Sequence, residues 1–177
     1  MSLKLIKPIQ PTGQQLEIIR QQLGREPVGL AGIAVQNKQG VPLVLQMQPL
    51  VNDKPFPTLY WLSSKDVYQA IAEIETAGGV KQLEKELEED EEFREAHLAD
   101  QQRYADLRWS TVTDAQKDRI EELGFTHLYT QYGIGGISQW DKIRCLHMQY
   151  AYHLAAGSAV GQKLDEKYQL NLINAKI

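Results

Sequence analysis

The sequence predicts a single-domain α+β fold, in which a small antiparallel sheet over about 27–62 is packed by four or more helices. Residues 28–62 are rich in β-branched and aromatic residues and are interrupted by turn sequences. The segments on either side instead carry apolar residues at spacings of three and four. With 177 residues, the chain is long enough to bury one sizeable core. Helices are needed because a three-stranded sheet buries a face only when another layer covers it.

The first predicted elements are an extended arm over 1–11 and a helix over 13–23. Two prolines disfavour helix in the arm. Thr12 and Gln15 form a capping-box pattern at the start of the helix, and Gly24 follows its end.

The sheet is predicted from two turns and the apolar runs around them. Residues 37–40 form a hairpin turn between strands at 28–35 and 41–45. A second turn at 52–55 precedes the third strand, at 57–62.

The second half of the chain is predicted to be mainly helical. Capping residues and apolar spacing indicate helices that begin at Ser63 and near Val80 and that cover 91–107, 115–123 and 139–156. The alternating aromatic sequence at 126–132 predicts a short strand that is a candidate to join the sheet. The tail, 162–177, mixes helix and strand propensity, so loose packing is expected there.

Composition and charge favour a cytoplasmic protein. The net charge of −4 and the absence of a dense basic cluster argue against nucleic acid as the main partner. Apolar stretches such as 41–45 and 151–160 are too short to cross a bilayer, so no membrane association is expected. Cys145 is the single cysteine, so the fold needs no internal disulfide.

Several motifs occur together in a familiar order along the chain. They are LGREPVG at 23–29, PFPTLYWL at 55–62, AGGVKQLE at 77–84, GIGGI at 133–137 and KIRCLHMQYAYHLA at 142–155. The sequence resembles a bacterial family known as domain of unknown function 501, from about residue 23 to 161. The resemblance implies no particular activity.

The resemblance also implies a set of soft ligands in other members. These are cysteines near the first hairpin and after the third strand, and a Cys-Leu-His-x-His motif in the last helix. Such a set suggests a zinc or redox site. In the present chain, residues 37–38 and 63–65 contain no cysteine, and Gln149 occupies the position of the second histidine of the motif. Only Cys145 and His147 remain, so we expect no such chemistry here.

Cys145 and His147 are candidate metal ligands by residue type, and their spacing tests this. Two helical residues that are two apart project about 200° from each other, so they cannot share one ion. Two ligands are also too few for a structural zinc site. The sequence therefore predicts no metal site and no cofactor, with Cys145 packed as a small hydrophobe.

A small anion is the ligand that the sequence favours. Arg144 and His147 share one side of the predicted helix, and guanidinium and imidazole groups both bind anions. The glycine loop before that helix could add backbone N–H donors, and one aromatic residue of the third strand could line the pocket. The candidate ligand-binding residues are Gly133, Gly135, Gly136, Arg144, His147, Tyr60 and Trp61.

The function predicted from these features is a non-catalytic module that binds a small anion or phosphorylated metabolite, or that acts through a protein partner. The alternative is an enzyme, a hydrolase or transferase on a phosphorylated substrate, with His147 as general base. The acidic run at 84–92 is interpreted as a solvated helix face. The oligomeric state is left open.

Overall fold

The computed structural model describes residues 7–177 and has an α+β fold, which confirms the predicted fold class. The first six residues of the expected arm lie outside the described part, and Ile9 bridges to Ile33. The helices are α1 (Gly13–Leu23), α2 (Lys65–Thr76), α3 (Gly79–Glu89), α4 (Glu91–Ser110), α5 (Asp114–Glu122), α6 (Thr126–Thr130), α7 (Leu146–Ala156) and α8 (Ala159–Tyr168). The strands are β1 (Leu30–Gln36), β2 (Pro42–Met47), β3 (Leu50–Val51), β4 (Lys54–Pro55) and β5 (Tyr60–Leu62).

The main sheet is antiparallel, in the order β1-β2-β5, and Leu45 pairs with Ile33 on one side and with Trp61 on the other. A separate two-stranded hairpin joins β3 to β4. Because side chains alternate along a strand, the two faces of the sheet pack against different layers of the protein. Ile33 and Leu45 pack with Ile19 of α1, whereas Val44 and Leu62 belong to the larger core that contains α7.

Helix α7 is the central helix of the larger core. It contacts β5, α2 and α8, and its buried residues point in nearly every direction around its axis. A helix that is buried all round must be apolar on most faces, which explains why its sequence shows no clear amphipathic stripe.

Three predicted elements differ from the structure: the strand at 126–132, the start of the helix after β5 and the start of the last long helix. Residues 126–132 contain the short helix α6, not a strand, because five residues are too few to show a period of 3.6. The N-cap of α2 is Ser64, whose hydroxyl accepts the Val67 N–H, and not Ser63.

The last long helix starts seven residues later than the predicted 139–156, at Leu146. The N–H groups of Ile143 and Leu146 donate to the carboxylates of Glu84 and Glu75, at 3.1 and 2.8 Å. These long-range acceptors replace carbonyl partners one turn earlier in the chain, so the segment up to Cys145 forms a loop.

The C-terminal segment, where loose packing was expected, continues through α8 into a 3₁₀ turn at Leu170–Leu172. Leu170 and Ala175 are buried. One carboxylate oxygen of Asp66 accepts the N–H groups of Lys176 and Ile177, at 2.7 and 2.9 Å. The tail is therefore held against the start of α2. Among residues 7–177, no helix combines the length and apolarity that crossing a membrane would require.

Candidate metal site

Three side chains of metal-ligand type converge where the end of α2 meets the start of α7. They are Glu75, Cys145 and His147, and one ligand atom from each lies within 4.8 Å of the others. The His147 Nδ1 atom is 3.5 Å from Glu75 Oε2 and 3.9 Å from Cys145 Sγ. We refer to these three residues as the Glu75 cluster.

The local backbone explains how Cys145 and His147 come together. Cys145 is the N-cap of α7 and has extended dihedral angles, φ −137° and ψ 117°. Because the helix begins only at Leu146, the 200° separation expected for two helical residues does not apply. The geometric argument against a shared ion therefore fails, since its premise of a continuous helix was wrong.

Two hydrogen bonds orient the cluster. Glu75 Oε1 accepts the Leu146 N–H at 2.8 Å, which leaves Oε2 free to face His147. His147 Nε2 is 3.2 Å from the Tyr68 carbonyl oxygen, and the Tyr68 ring stacks on the imidazole with centroids 3.9 Å apart. A carbonyl only accepts, so Nε2 carries a proton, and a neutral ring would then present the lone pair of Nδ1 to the cluster.

This arrangement brings electron-rich atoms close together in a shielded place. His147 is only 7% exposed and Cys145 is half-buried. A neutral Nδ1 and a carboxylate oxygen at 3.5 Å repel each other unless a proton or a cation lies between them. Burial raises the pKa of the Cys145 thiol, and the Glu75 carboxylate adds to the effect.

The spacing of the cluster fits the coordination sphere of a small metal ion. Zinc binds nitrogen and oxygen at about 2.0–2.2 Å and sulfur at about 2.3 Å, so a tetrahedral site separates such ligands by about 3.3–3.6 Å. The two separations from His147 Nδ1, 3.5 and 3.9 Å, lie within a few tenths of an ångström of this range, and the third, between Glu75 and Cys145, is at most 4.8 Å.

Part of the predicted anion site adjoins this cluster. A Cβ atom on Gly135 would lie 3.6 Å from the Cβ atom of Cys145, so the glycine loop packs against the thiol side chain. Arg144 is exposed, and its Nη1 atom is 3.5 Å from the Gly136 carbonyl oxygen. Arg144 lies before α7, so the prediction that Arg144 and His147 share one side of a helix is wrong, because the helix begins only at Leu146.

The glycine loop offers fewer free donors than the anion hypothesis assumed. The N–H groups of Gly133 and Gly136 donate to the carbonyls of Ile137 and Gly133, at 2.8 and 3.0 Å. The Ile134 N–H donates to the side chain of Gln101 at 2.7 Å. The loop also leads into further loop rather than into a helix. Anion binding at this loop stays a prediction.

Tyr60 and Trp61 lie on opposite faces of the sheet. Tyr60 is in the larger core, where burial raises its pKa to about 12. Trp61 stacks on Phe56 with ring centroids 5.9 Å apart, and the Arg25 guanidinium lies 5.1 Å above it. Trp61 also lines a groove of about 310 Å³ that includes Tyr68.

Sequence analysis missed Glu75. Its contact with the start of α7 spans 71 residues, and on α2 it resembles any solvent-facing glutamate. No local pattern identifies such a partner, because helix periodicity reports only which face of α2 is apolar. Its position beside Ile74, at the edge of that apolar face, is the sole signal.

A second histidine cluster resembles a nucleophilic triad in composition but not in geometry. His153 Nε2 is 2.9 Å from Asp165, and its Nδ1 accepts the Ser158 backbone N–H at 3.0 Å. The Ser158 hydroxyl accepts the Gly161 N–H and caps α8. The hydroxyl is therefore not activated by the imidazole, and the group fastens α7 to α8.

The fold and the Glu75 cluster together define a small α+β protein with three convergent ligands of different chemistry. The chain belongs to the family described as protein of unknown function (DUF501), whose family model matches residues 33–166. This confirms the resemblance found in the sequence. No curated protein and no solved structure matches the chain.

Proposed function

We propose that the protein binds one divalent transition-metal ion through Glu75 Oε2, Cys145 Sγ and His147 Nδ1. The observation that supports this concerns Glu75 and His147: in each residue, the polar atom that would not bind the ion already forms a hydrogen bond. Glu75 Oε1 bonds to the Leu146 N–H, and His147 Nε2 bonds to the Tyr68 carbonyl. Such outer hydrogen bonds are typical of metal sites, because they fix the imidazole tautomer and the carboxylate orientation.

The ligand set favours zinc or a similar ion. Thiolate and imidazole are soft or borderline ligands, whereas magnesium and calcium prefer oxygen alone. Three protein ligands leave the fourth tetrahedral position to water or to an exogenous ligand, as in catalytic zinc sites. His147 would have both ring nitrogens engaged, which does not favour the general-base role considered for an enzyme.

The predicted small anion would bind at this site as the fourth ligand of the metal ion. Arg144 is exposed and follows the loop that packs on Cys145. An anion at the open metal position would meet this guanidinium, and Arg144 favours phosphate or carboxylate there. This part of the proposal depends on metal binding, whereas metal binding does not depend on Arg144.

Titration with Co²⁺ tests the metal proposal, because a thiolate ligand gives a near-ultraviolet charge-transfer band. Zn²⁺ should then displace the cobalt with a stoichiometry of one. Cys145→Ser, His147→Gln and Glu75→Gln should each weaken binding by more than the roughly 10- to 100-fold caused by losing an outer partner of a metal site. The matched controls are the exposed Glu73→Gln on the same helix and His127→Gln, which should bind like the parent.

Two results would contradict the proposal. The first is a protein that binds neither Co²⁺ nor Zn²⁺ under reducing conditions. The second is binding that survives in all three cluster variants. If the metal binds, phosphate should alter the cobalt spectrum of the parent but not that of Arg144→Ala, which tests the anion role separately.

A further inference from the structure

The guanidinium of Arg108 is buried without a carboxylate partner in the described part of the chain. The residue is 2% exposed. Its hydrogen bonds go to the carbonyl oxygens of Tyr129, Tyr132 and Pro57. Buried charges are normally paired with an opposite charge, because desolvation is costly.

The neighbours of Arg108 offset this charge only in part. The carbonyls of Tyr129 and Tyr132 lie at the C-terminal end of α6, which carries a partial negative charge. The ring of Tyr104 lies 5.0 Å from the guanidinium carbon and contributes a cation–π contact. Burial still lowers the pKa of Arg108, so the charged form is not fully compensated.

One donor of the guanidinium remains. Arginine has five N–H groups, and four hydrogen bonds account for four of them. The fifth is on Nη1, which donates to the Pro57 carbonyl at 3.1 Å and has no further carbonyl acceptor within residues 7–177. Arg108 and Pro57 both line a cavity of about 220 Å³.

The cavity, which we call the Arg108 cavity, has mainly apolar and aromatic walls. Its lining residues are Pro57, Thr58, Tyr104, Arg108, Leu128, Tyr132 and Gly136. Its volume is below the roughly 300–1,000 Å³ of drug-sized pockets, so it suits a small molecule. Ring faces and a leucine accept an apolar body, and one guanidinium accepts one negative charge.

We infer that the Arg108 cavity binds a small monocarboxylate with an apolar or aryl body, whose carboxylate pairs with Arg108. The remaining Nη1 N–H can donate one charge-assisted hydrogen bond to a carboxylate oxygen, and a single buried cation balances one charge. A phosphate would bring a second charge and demand more donors than these walls provide. The cavity shares Gly136 with the loop selected from the sequence, but the cation inside is Arg108 and not Arg144.

Benzoate is the probe, and titration calorimetry with amide chemical-shift mapping is the measurement. Benzoate should saturate the protein, and the neutral isostere benzamide should bind at least tenfold more weakly. Leu128→Phe should fill the cavity and weaken benzoate binding at least tenfold, whereas Arg94→Ala, which removes an exposed cation of the same helix as Arg108, should bind as the parent does.

Arg108→Lys keeps the charge but loses the Nη1 donor beside the cavity, so it should also bind benzoate at least tenfold more weakly. If this variant does not fold, Leu128→Phe still tests the site, because it leaves the guanidinium and its carbonyl bonds in place. The inference would be overturned if the parent showed no saturable benzoate binding, if benzamide bound equally well, or if Leu128→Phe bound benzoate as tightly as Arg94→Ala does.

Discussion

The imidazole of His153 occupies the space that a side chain at position 161 would need. A Cβ atom on Gly161 would lie 1.9 Å from His153 Cγ. The imidazole cannot easily move aside, since Asp165 and the Ser158 N–H hold its two nitrogens at 2.9 and 3.0 Å. The close crossing of α7 and α8 therefore depends on glycine at this position.

Gly161→Ala should lower the free energy of unfolding by about 1–3 kcal/mol, the usual cost of overpacking a well-packed site. Urea denaturation gives the value. Gly13→Ala is the matched control, because a Cβ there meets nothing within 4 Å and its backbone is helical. An equal response of the two variants would show that the α7–α8 crossing adjusts freely.

The side chain of Gln101 holds the glycine loop at 133–136, so its removal should destabilise the protein. Its Oε1 atom accepts the Ile134 N–H at 2.7 Å, and the residue is fully buried. Gln101→Ala leaves that donor without a partner, which costs about 1–3 kcal/mol. The exposed neighbour Gln102→Ala should stay within about 0.5 kcal/mol of the parent by the same unfolding assay. A stable Gln101→Ala would mean that water replaces the amide.

Stability should fall between about pH 10 and pH 12, in part because of Tyr60. Burial raises the pKa of Tyr60 from 10.0 to about 12 in the folded protein. The contribution of Tyr60 to the free energy of unfolding is fully present below pH 10. It is lost above that pH, because Tyr60 ionises at a lower pH in the unfolded chain than in the folded protein. The loss reaches at most about 2.7 kcal/mol for a two-unit shift. Tyr60→Phe should flatten this part of the stability profile, and parallel profiles of the two proteins would refute the assignment.

Asp66 should control the order of the C-terminal segment. Its Oδ2 atom accepts two backbone N–H groups of the last residues, at 2.7 and 2.9 Å. Asp66→Ala should increase amide hydrogen exchange over 170–177 while the core keeps its protection. Lys65→Ala, an exposed change on the same turn, is the control. Unchanged exchange in Asp66→Ala would show that the remaining contacts of the segment, such as the hydrogen bonds from Asn37 and Ser64, are enough to hold it.

Local signals predicted much of the fold. The helix at 13–23 is confirmed to the residue, because Thr12 and Gln15 form the capping box and Gly24 adopts the left-handed conformation. The three strands of the main sheet also overlap the predicted segments, although β1 and β2 end one and two residues later than predicted. The hairpin β3–β4 was missed, since each strand has only two residues and β4 lies within the predicted turn at 52–55.

The site was harder to predict, because distant residues decide the local backbone. Helix α7 begins at Leu146, whose N–H donates to the Glu75 carboxylate, and Cys145 therefore lies outside the helix. Capping patterns pointed to an earlier start, at Ser138. The periodicity of one segment cannot report a hydrogen bond from another helix, so the conformation of Cys145 was beyond the reach of sequence.

The two carboxylates that hold the loop before α7 also determine when the Glu75 cluster can form. Glu84 and Glu75 reach their partners across 59 and 71 residues of chain. Closing loops of this length costs entropy and slows folding, so the cluster assembles only once α2 and α3 have docked. The unfolded chain therefore keeps Cys145 and His147 close in sequence but separates Glu75 from them. A bound ion would stabilise the folded state more than the unfolded chain, and the melting temperature of the protein would rise with the concentration of the metal ion.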